Sequence, residues 1–168
     1  MITEGDFKIL GGSSLIIQYL VEGNQQVKKR LYPKEYAQAI DKHLGYYQAR
    51  MRPNSARLTK MIVSPHQSGS RPPTAEDKQR EIYEFFERHL PHLNQSLENK
   101  NYFCGEEMTV ADIQYYHEII TMLWLTKKEL DRAKLPNLYS WLYERMQQQD
   151  LLKLEEKMKA KITKYDLQ

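Results

Sequence analysis

Tyr36, Ile40, Leu44, Tyr47 and Met51 recur at steps of four, four, three and four residues, a rhythm that lays all five on one face of a helix. A second stripe runs through Ile82, Phe86, Leu90, Leu93 and Leu97, and a third through Ile113, Tyr116 or His117, Ile120 and Leu123 or Trp124. An apolar stripe has to be buried against another element, so this chain is constrained to pack helix on helix. The start signals agree. Pro33 suits a first turn, where its missing N–H has no helical partner, and Glu76 and Asp77 favour the first turn of a helix that begins at Thr74. Pro136 opens a further helix carrying Leu138, Trp141, Leu142 and Arg145, and the residues after Asp150 continue as an amphipathic tail. Pro53 is expected to bend or end the first long helix, and Pro91 to kink the second near residues 87–90. Residues 64–73, with their prolines and glycine, read as a loop.

Ahead of these helices stands a different pattern. Met1-Ile2-Thr3-Glu4-Gly5-Asp6-Phe7-Lys8-Ile9-Leu10 reads as two short strands joined at Glu4-Gly5, followed by a helix that Ser13 or Ser14 caps and Gly23 stops. The chain thus divides into a ββα unit at 1–23, a polar linker at 24–32 and an all-helical domain at 33–168. A lone hairpin is marginal in water, and its first strand has an open edge, so this end needs either a missing piece of its own domain or a partner chain, and protein partners are expected to contact residues 1–10 around Ile2, Phe7 and Ile9.

The 168 residues suffice for one well-packed domain. With 40% hydrophobic residues and a mean hydropathy of −0.75, no run approaches the roughly 20 apolar residues of a membrane span, so no span is expected. No cleavable address is visible at the first residues. The single cysteine, Cys104, excludes an internal disulfide framework and points to a reducing, intracellular compartment. The net charge of +3 is modest; Lys28-Lys29-Arg30 and the lysines at 153, 157, 159, 161 and 164 read as solvated helix faces. No aromatic-plus-basic motif accompanies them, and no nucleic-acid partner is expected.

Thr109-Val110-Ala111-Asp112 is a variant capping box, with Met108 and Ile113 at the hydrophobic staple positions. Cys104, between Phe103 and Gly105, sits in an apolar approach to that box, where a cysteine acts as a small hydrophobe. His89 and His92 have a spacing that can serve a metal, but Pro91 distorts it and no third ligand is marked, so no metal is expected. His43, His66 and His117 show no pairing with a serine or cysteine that would make a triad.

Three segments together resemble the glutathione transferase family, most closely its theta class. Residues 1–20 match a strand-turn-strand-helix unit of the form P-x-L-x-D-G-D-F-x-L-x-E-S-x-A-I-x-x-Y-L without its leading proline, Tyr32-Pro33 matches the inter-domain YP, and Phe103-Cys104-Gly105-Glu106-Glu107-Met108-Thr109-Val110-Ala111-Asp112-Ile113 matches F-x-G-x-x-x-S/T-x-A-D-I. The resemblance implies a mainly α fold: a C-terminal-like helical bundle of that family with a small ββα remnant of its thioredoxin-like domain. It also implies that Thr109 and Asp112 are a structural capping box at the start of the buried central helix. Gly12-Ser13 falls where the family's acidic-Ser pair holds the γ-glutamyl end of glutathione, so Ser13 is a vestigial contact that has lost its acidic neighbour. Arg52 falls where theta-like proteins place an arginine toward the substrate pocket, with Tyr46 and Tyr47 along the same region; the plainer alternative is a charge that favours a helix end. The family's catalytic hydroxyl has no counterpart in the sequence, and no catalytic residue is assigned. The expectation is a non-catalytic interaction or scaffold subunit of a larger assembly, needing no cofactor. The alternative is a theta-like transferase that conjugates glutathione to electrophiles, with glutathione bound.

Overall fold

A computed structural model describes residues 2–4, 7–9, 12–63 and 72–148. Strands β1 (Ile2–Glu4) and β2 (Phe7–Ile9) pair antiparallel in the register Ile2↔Ile9, Thr3↔Lys8 and Glu4↔Phe7, so the expected hairpin forms, with Glu4 paired in β1 rather than placed in the turn. The helices that follow are α1 (Ser13–Glu22), α2 (Gln25–Leu31), α3 (Ala37–Tyr46), α4 (Arg52–Val63), α5 (Ala75–Glu84), α6 (Leu90–Ser96), α7 (Val110–Thr126) and α8 (Pro136–Ser140). This is the mainly helical class expected. Among the described residues no helix is long and apolar enough to cross a membrane. The segment read as a polar linker, 24–32, contains α2, which Asn24 caps by accepting from the Gln26 and Val27 N–H groups at 3.0 and 3.2 Å.

Two long helices are continuous through their prolines. A 3₁₀ turn at Lys34–Tyr36 leads into α3, a π-helical turn at Tyr47–Met51 joins α3 to α4, and Pro53 lies just past that turn without ending the helix. A π-helical turn at Phe85–His89 likewise joins α5 to α6, with Pro91 just beyond. The loop reading for 64–73 and the amphipathic tail after 150 lie largely or wholly outside the described residues.

The core is where α7 packs on α3 and α4, with α5 against α4 and α6 against α8. The first stripe is as predicted, with Ile40, Leu44, Tyr47 and Met51 buried and Tyr36 half-buried. The stripe predicted on α7 is too narrow. This helix is buried on most of its circumference, including Gln114, Tyr115, Glu118, Ile119 and Met122, whereas Ile113 is only half-buried. A 3.6-residue stripe describes a helix with one covered side; α7 is covered by neighbours on several.

The capping box is present. Thr109 N–H and its hydroxyl donate to Asp112 Oδ2 at 2.9 and 2.8 Å, while Asp112 Oδ1 accepts from the Phe103 N–H at 3.0 Å and the Trp141 indole N–H at 3.1 Å. One carboxylate therefore ties the loop before α7, the start of α7 and the turn after α8 together. Burial pushes the Asp112 carboxyl above the usual range, against those hydrogen bonds, which pull it down. Phe103 is the hub of the surrounding aromatic cluster, with ring centroids 4.6 Å from Tyr115, 4.9 Å from Trp141 and 5.4 Å from His43. Gly105 approaches Tyr36 so closely that an added Cβ would lie 3.0 Å from its ring, and its φ of 152° suits glycine alone.

Candidate functional site

A polar seam runs through this apolar core where the start of α1, the turn at Tyr47–Met51 and α7 meet. At its upper end the Ser14 hydroxyl lies 3.2 Å from Gln114 Oε1 and 3.3 Å from Gln48 Oε1, donating to one at a time. Ser14 is buried, and Gln114 comes from the first half of α7. One turn further along α7, Glu118 is buried and accepts from the Tyr47 hydroxyl at 2.6 Å and from Arg52 Nη1 at 3.1 Å. Burial draws the Arg52 guanidinium down, but the Glu118 charge outweighs it and holds the group above its ordinary value. Arg52 is thus a partner of Glu118, with its side chain about half in solvent at 46% exposure.

The residues that the sequence singles out do not converge on one place. Ser13 opens α1, but the capping position itself is Gly12, with no side-chain cap, so neither serine is the N-cap that the sequence predicts. Ser14 turns inward instead, into the seam, and the side chain of Ser13 lies outside the described residues. At Gly12 a Cβ would lie 1.9 Å from Gln48 Nε2 and 2.8 Å from its Cδ, so the end of the exposed Gln48 side chain rests against Gly12 and would have to swing aside for a side chain there. Thr109 and Asp112 meet each other in the core, away from Ser14 and Arg52 in sequence and in partners.

Cys104 is buried, and desolvation pushes its thiol up to about 11, so it rests as the unreactive thiol with Thr109 Oγ1 at 3.6 Å. His89 donates to or accepts from the Tyr46 hydroxyl through Nδ1 at 2.8 Å, and the same Tyr46 ring lies 4.4 Å from His92. The two histidines thus flank a tyrosine, and among the described residues no three candidate ligands gather to hold a metal ion. His43 is held down to about 4 by burial first and the nearby Lys100 second, so its ring is neutral beside the Tyr115 hydroxyl at 3.3 Å.

Sequence reading missed Gln48, Gln114 and Glu118. The last two carried a signal: they are polar residues four apart on a helix otherwise rich in large apolar side chains, the pattern of a polar seam rather than of a solvated face. It also missed the buried Glu81, which accepts from Asn54 Nδ2 at 2.7 Å and from Arg57 Nε and Nη2 at 3.1 and 3.0 Å. Burial raises Glu81, and the hydrogen bonds from Arg57 and Asn54 more than offset this, leaving it below the usual carboxylate range.

The sequence profile of the glutathione S-transferase C-terminal domain matches residues 51–150. Among solved structures, the Bombyx mori glutathione transferase BmGSTD1 aligns with a TM-score of 0.66 at 23% identity, covering 85% of this chain and 61% of that one. BmGSTD1 in complex with GTT aligns with a TM-score of 0.61 at 21% identity, covering 83% of this chain and 59% of that one. This chain therefore spans about six-tenths of the length of these structures, and the likeness is one of fold. No curated protein matches it.

Proposed function

The chain belongs to the glutathione S-transferase family through its C-terminal domain, and from that premise we propose that it is a non-catalytic interaction or scaffold subunit of a larger protein assembly. The observation that carries this reading is the contact at Gly12. The resemblance implies an acidic side chain there to receive the amino-acid end of glutathione; here the position is glycine, with the end of the Gln48 side chain resting against it. A helix start can still attract a carboxylate, but its second wall is missing. Two further groups support the reading. Arg52, the residue that would meet an anionic leaving group, is engaged by Glu118, and the Cys104 thiol is buried and protonated.

The surface for a partner is the hairpin. Among the described residues β1 pairs with β2 alone, so one edge of N–H and C=O groups is available for strand addition or for a covering helix. Calorimetry with millimolar glutathione is expected to show no saturable heat, and glutathione with an electrophile no turnover. Glutathione-dependent turnover that survives removal of contaminating transferases would establish the other reading, a conjugating transferase. Amide exchange tests the hairpin: it should be fast in a dilute monomer and slow in the native complex. Equal protection in both would remove the argument for a partner at this edge.

A further inference from the structure

Where the end of α1 meets α2 and the 3₁₀ turn before α3 lies a cleft of about 440 Å³ that the proposed function leaves unused. Tyr32, Pro33 and Ala37 form its apolar side, and Lys28, Lys29 and Lys34 its charged side. Pro33 is buried and Tyr32 and Ala37 are half-buried, so the apolar side is recessed beneath the exposed Lys29 and Lys34. The Tyr32 hydroxyl donates to Asp41 Oδ1, which leaves its ring as a wall of the cleft.

The acids at hand are already spent. Glu22, also on the rim, holds Lys28 at 2.6 Å, and Asp41 accepts from Gln18 Nε2 at 3.4 Å as well as from Tyr32. Lys29, Arg30 and Lys34 make no ion pair or hydrogen bond among the described residues. A basic last turn favours the dipole of α2, which accounts for residues 28–30 without any ligand. Lys34 has no such account. It opens the turn that leads into α3, the end of a helix where a cation is disfavoured, and it reaches the cleft from the side opposite α2. Unpaired cations on both sides of an apolar recess match an anionic chain that has an apolar side chain between its charges. Because the recess is concave, its apolar residues cannot enter the plane of a membrane, and the half-buried Tyr32 offers no exposed ring on which a base would stack.

We propose that this cleft docks an acidic segment of a partner protein, with an apolar side chain against Tyr32 and Pro33 and carboxylates on Lys29 and Lys34. This rests on the reading of the chain as an interaction subunit and adds the chemistry of a partner. The cleft shares no residue with the hairpin, so the outcome here and the amide exchange of the hairpin are separate results. The probe is a labelled Asp-Glu-Leu-Asp-Glu peptide added to the full chain and followed by fluorescence anisotropy. It is expected to bind saturably and to weaken several-fold between 50 mM and about 300 mM salt. Its neutral counterpart, Asn-Gln-Leu-Asn-Gln, and the version with glycine for leucine should each bind at least about fivefold more weakly. Lys29→Glu with Lys34→Glu, both at exposed positions, should weaken the acidic peptide at least about tenfold with the melting temperature unchanged, whereas Lys60→Glu with Lys134→Glu should leave it as it is. Equal loss in the two double variants would mean that only net charge is read, and equal affinity for the neutral or the glycine peptide that the cleft reads no charge or no apolar side chain. Tighter, Lys29- and Lys34-dependent binding of phosphatidylserine vesicles or of a single-stranded DNA 20-mer would assign the cations to a membrane or a nucleic acid; each of these outcomes overturns the proposal.

Discussion

Asp112 shows how much a single side chain can carry. Its two oxygens take four donors from three parts of the chain, so removing it does more than open a helix end. Losing a cap costs about 0.5–2 kcal/mol, and each buried donor left unpaired adds about 1–3 kcal/mol. Asp112→Ala is therefore expected to destabilise the fold by about 4 kcal/mol, a fall of roughly 10 °C in Tm for a chain of this size. Thr109→Ala, which leaves the Phe103 and Trp141 bonds in place, should cost only about 1 kcal/mol. Thermal melts of the two variants check the order; equal losses would show that the bonds from Phe103 and Trp141 contribute nothing. Partner binding should fall only with the folded fraction, because this carboxylate faces the core.

The long helices owe their continuity to the widened turns before their prolines. Pro53 and Pro91 have no N–H to offer the carbonyls of Ala49 and Glu87, and in an α-helix their rings would press on those same carbonyls. In each case the preceding residue bonds one position further back: Arg52 N–H to the Tyr47 carbonyl, and Leu90 N–H to the Phe85 carbonyl. The wider turn gives the ring room. It also keeps a buried row in line, since Glu81, Phe85, His89, Leu93 and Leu97 are spaced by four and an α-helix would rotate such a row by about 40° at every step. Pro91→Ala is accordingly expected to change stability by less than about 1 kcal/mol in urea unfolding. A gain near the ~3 kcal/mol of an unrelieved interior proline would show that the turn does not absorb it. Thr74 and Asp77 form a reciprocal capping box at the start of α5, with N–H and hydroxyl bonds of 3.0 and 2.8 Å to Asp77.

For the whole molecule, histidines that folding desolvates make stability depend on pH on the acid side. Desolvation lowers His43, to about 4, and also lowers His89 and His117. In the unfolded chain these rings take up protons near pH 6.5, which the folded chain resists, so their contribution is full above that pH and declines as pH falls below it; for His43 the decline ends near pH 4. For His43 the loss is on the order of 3 kcal/mol across that window. Urea unfolding at steps from pH 7 to pH 4 should follow this slope, and His43→Gln should flatten it; an unchanged slope would remove His43 as its source. The sequence by itself determined the helical class, the hairpin, the stripe on α3 and the box at Thr109 and Asp112, because each is written in residues a few positions apart, where spacing and backbone chemistry act alone. What the tertiary structure decided involves partners far apart in sequence: that Gln48 rests against Gly12, that Glu118 claims Arg52, that Ser14 turns inward, and that Asn54 keeps an oxygen unpaired among the described residues. Burial and pairing of a polar side chain depend on which helix comes to face it, and no local spacing encodes that.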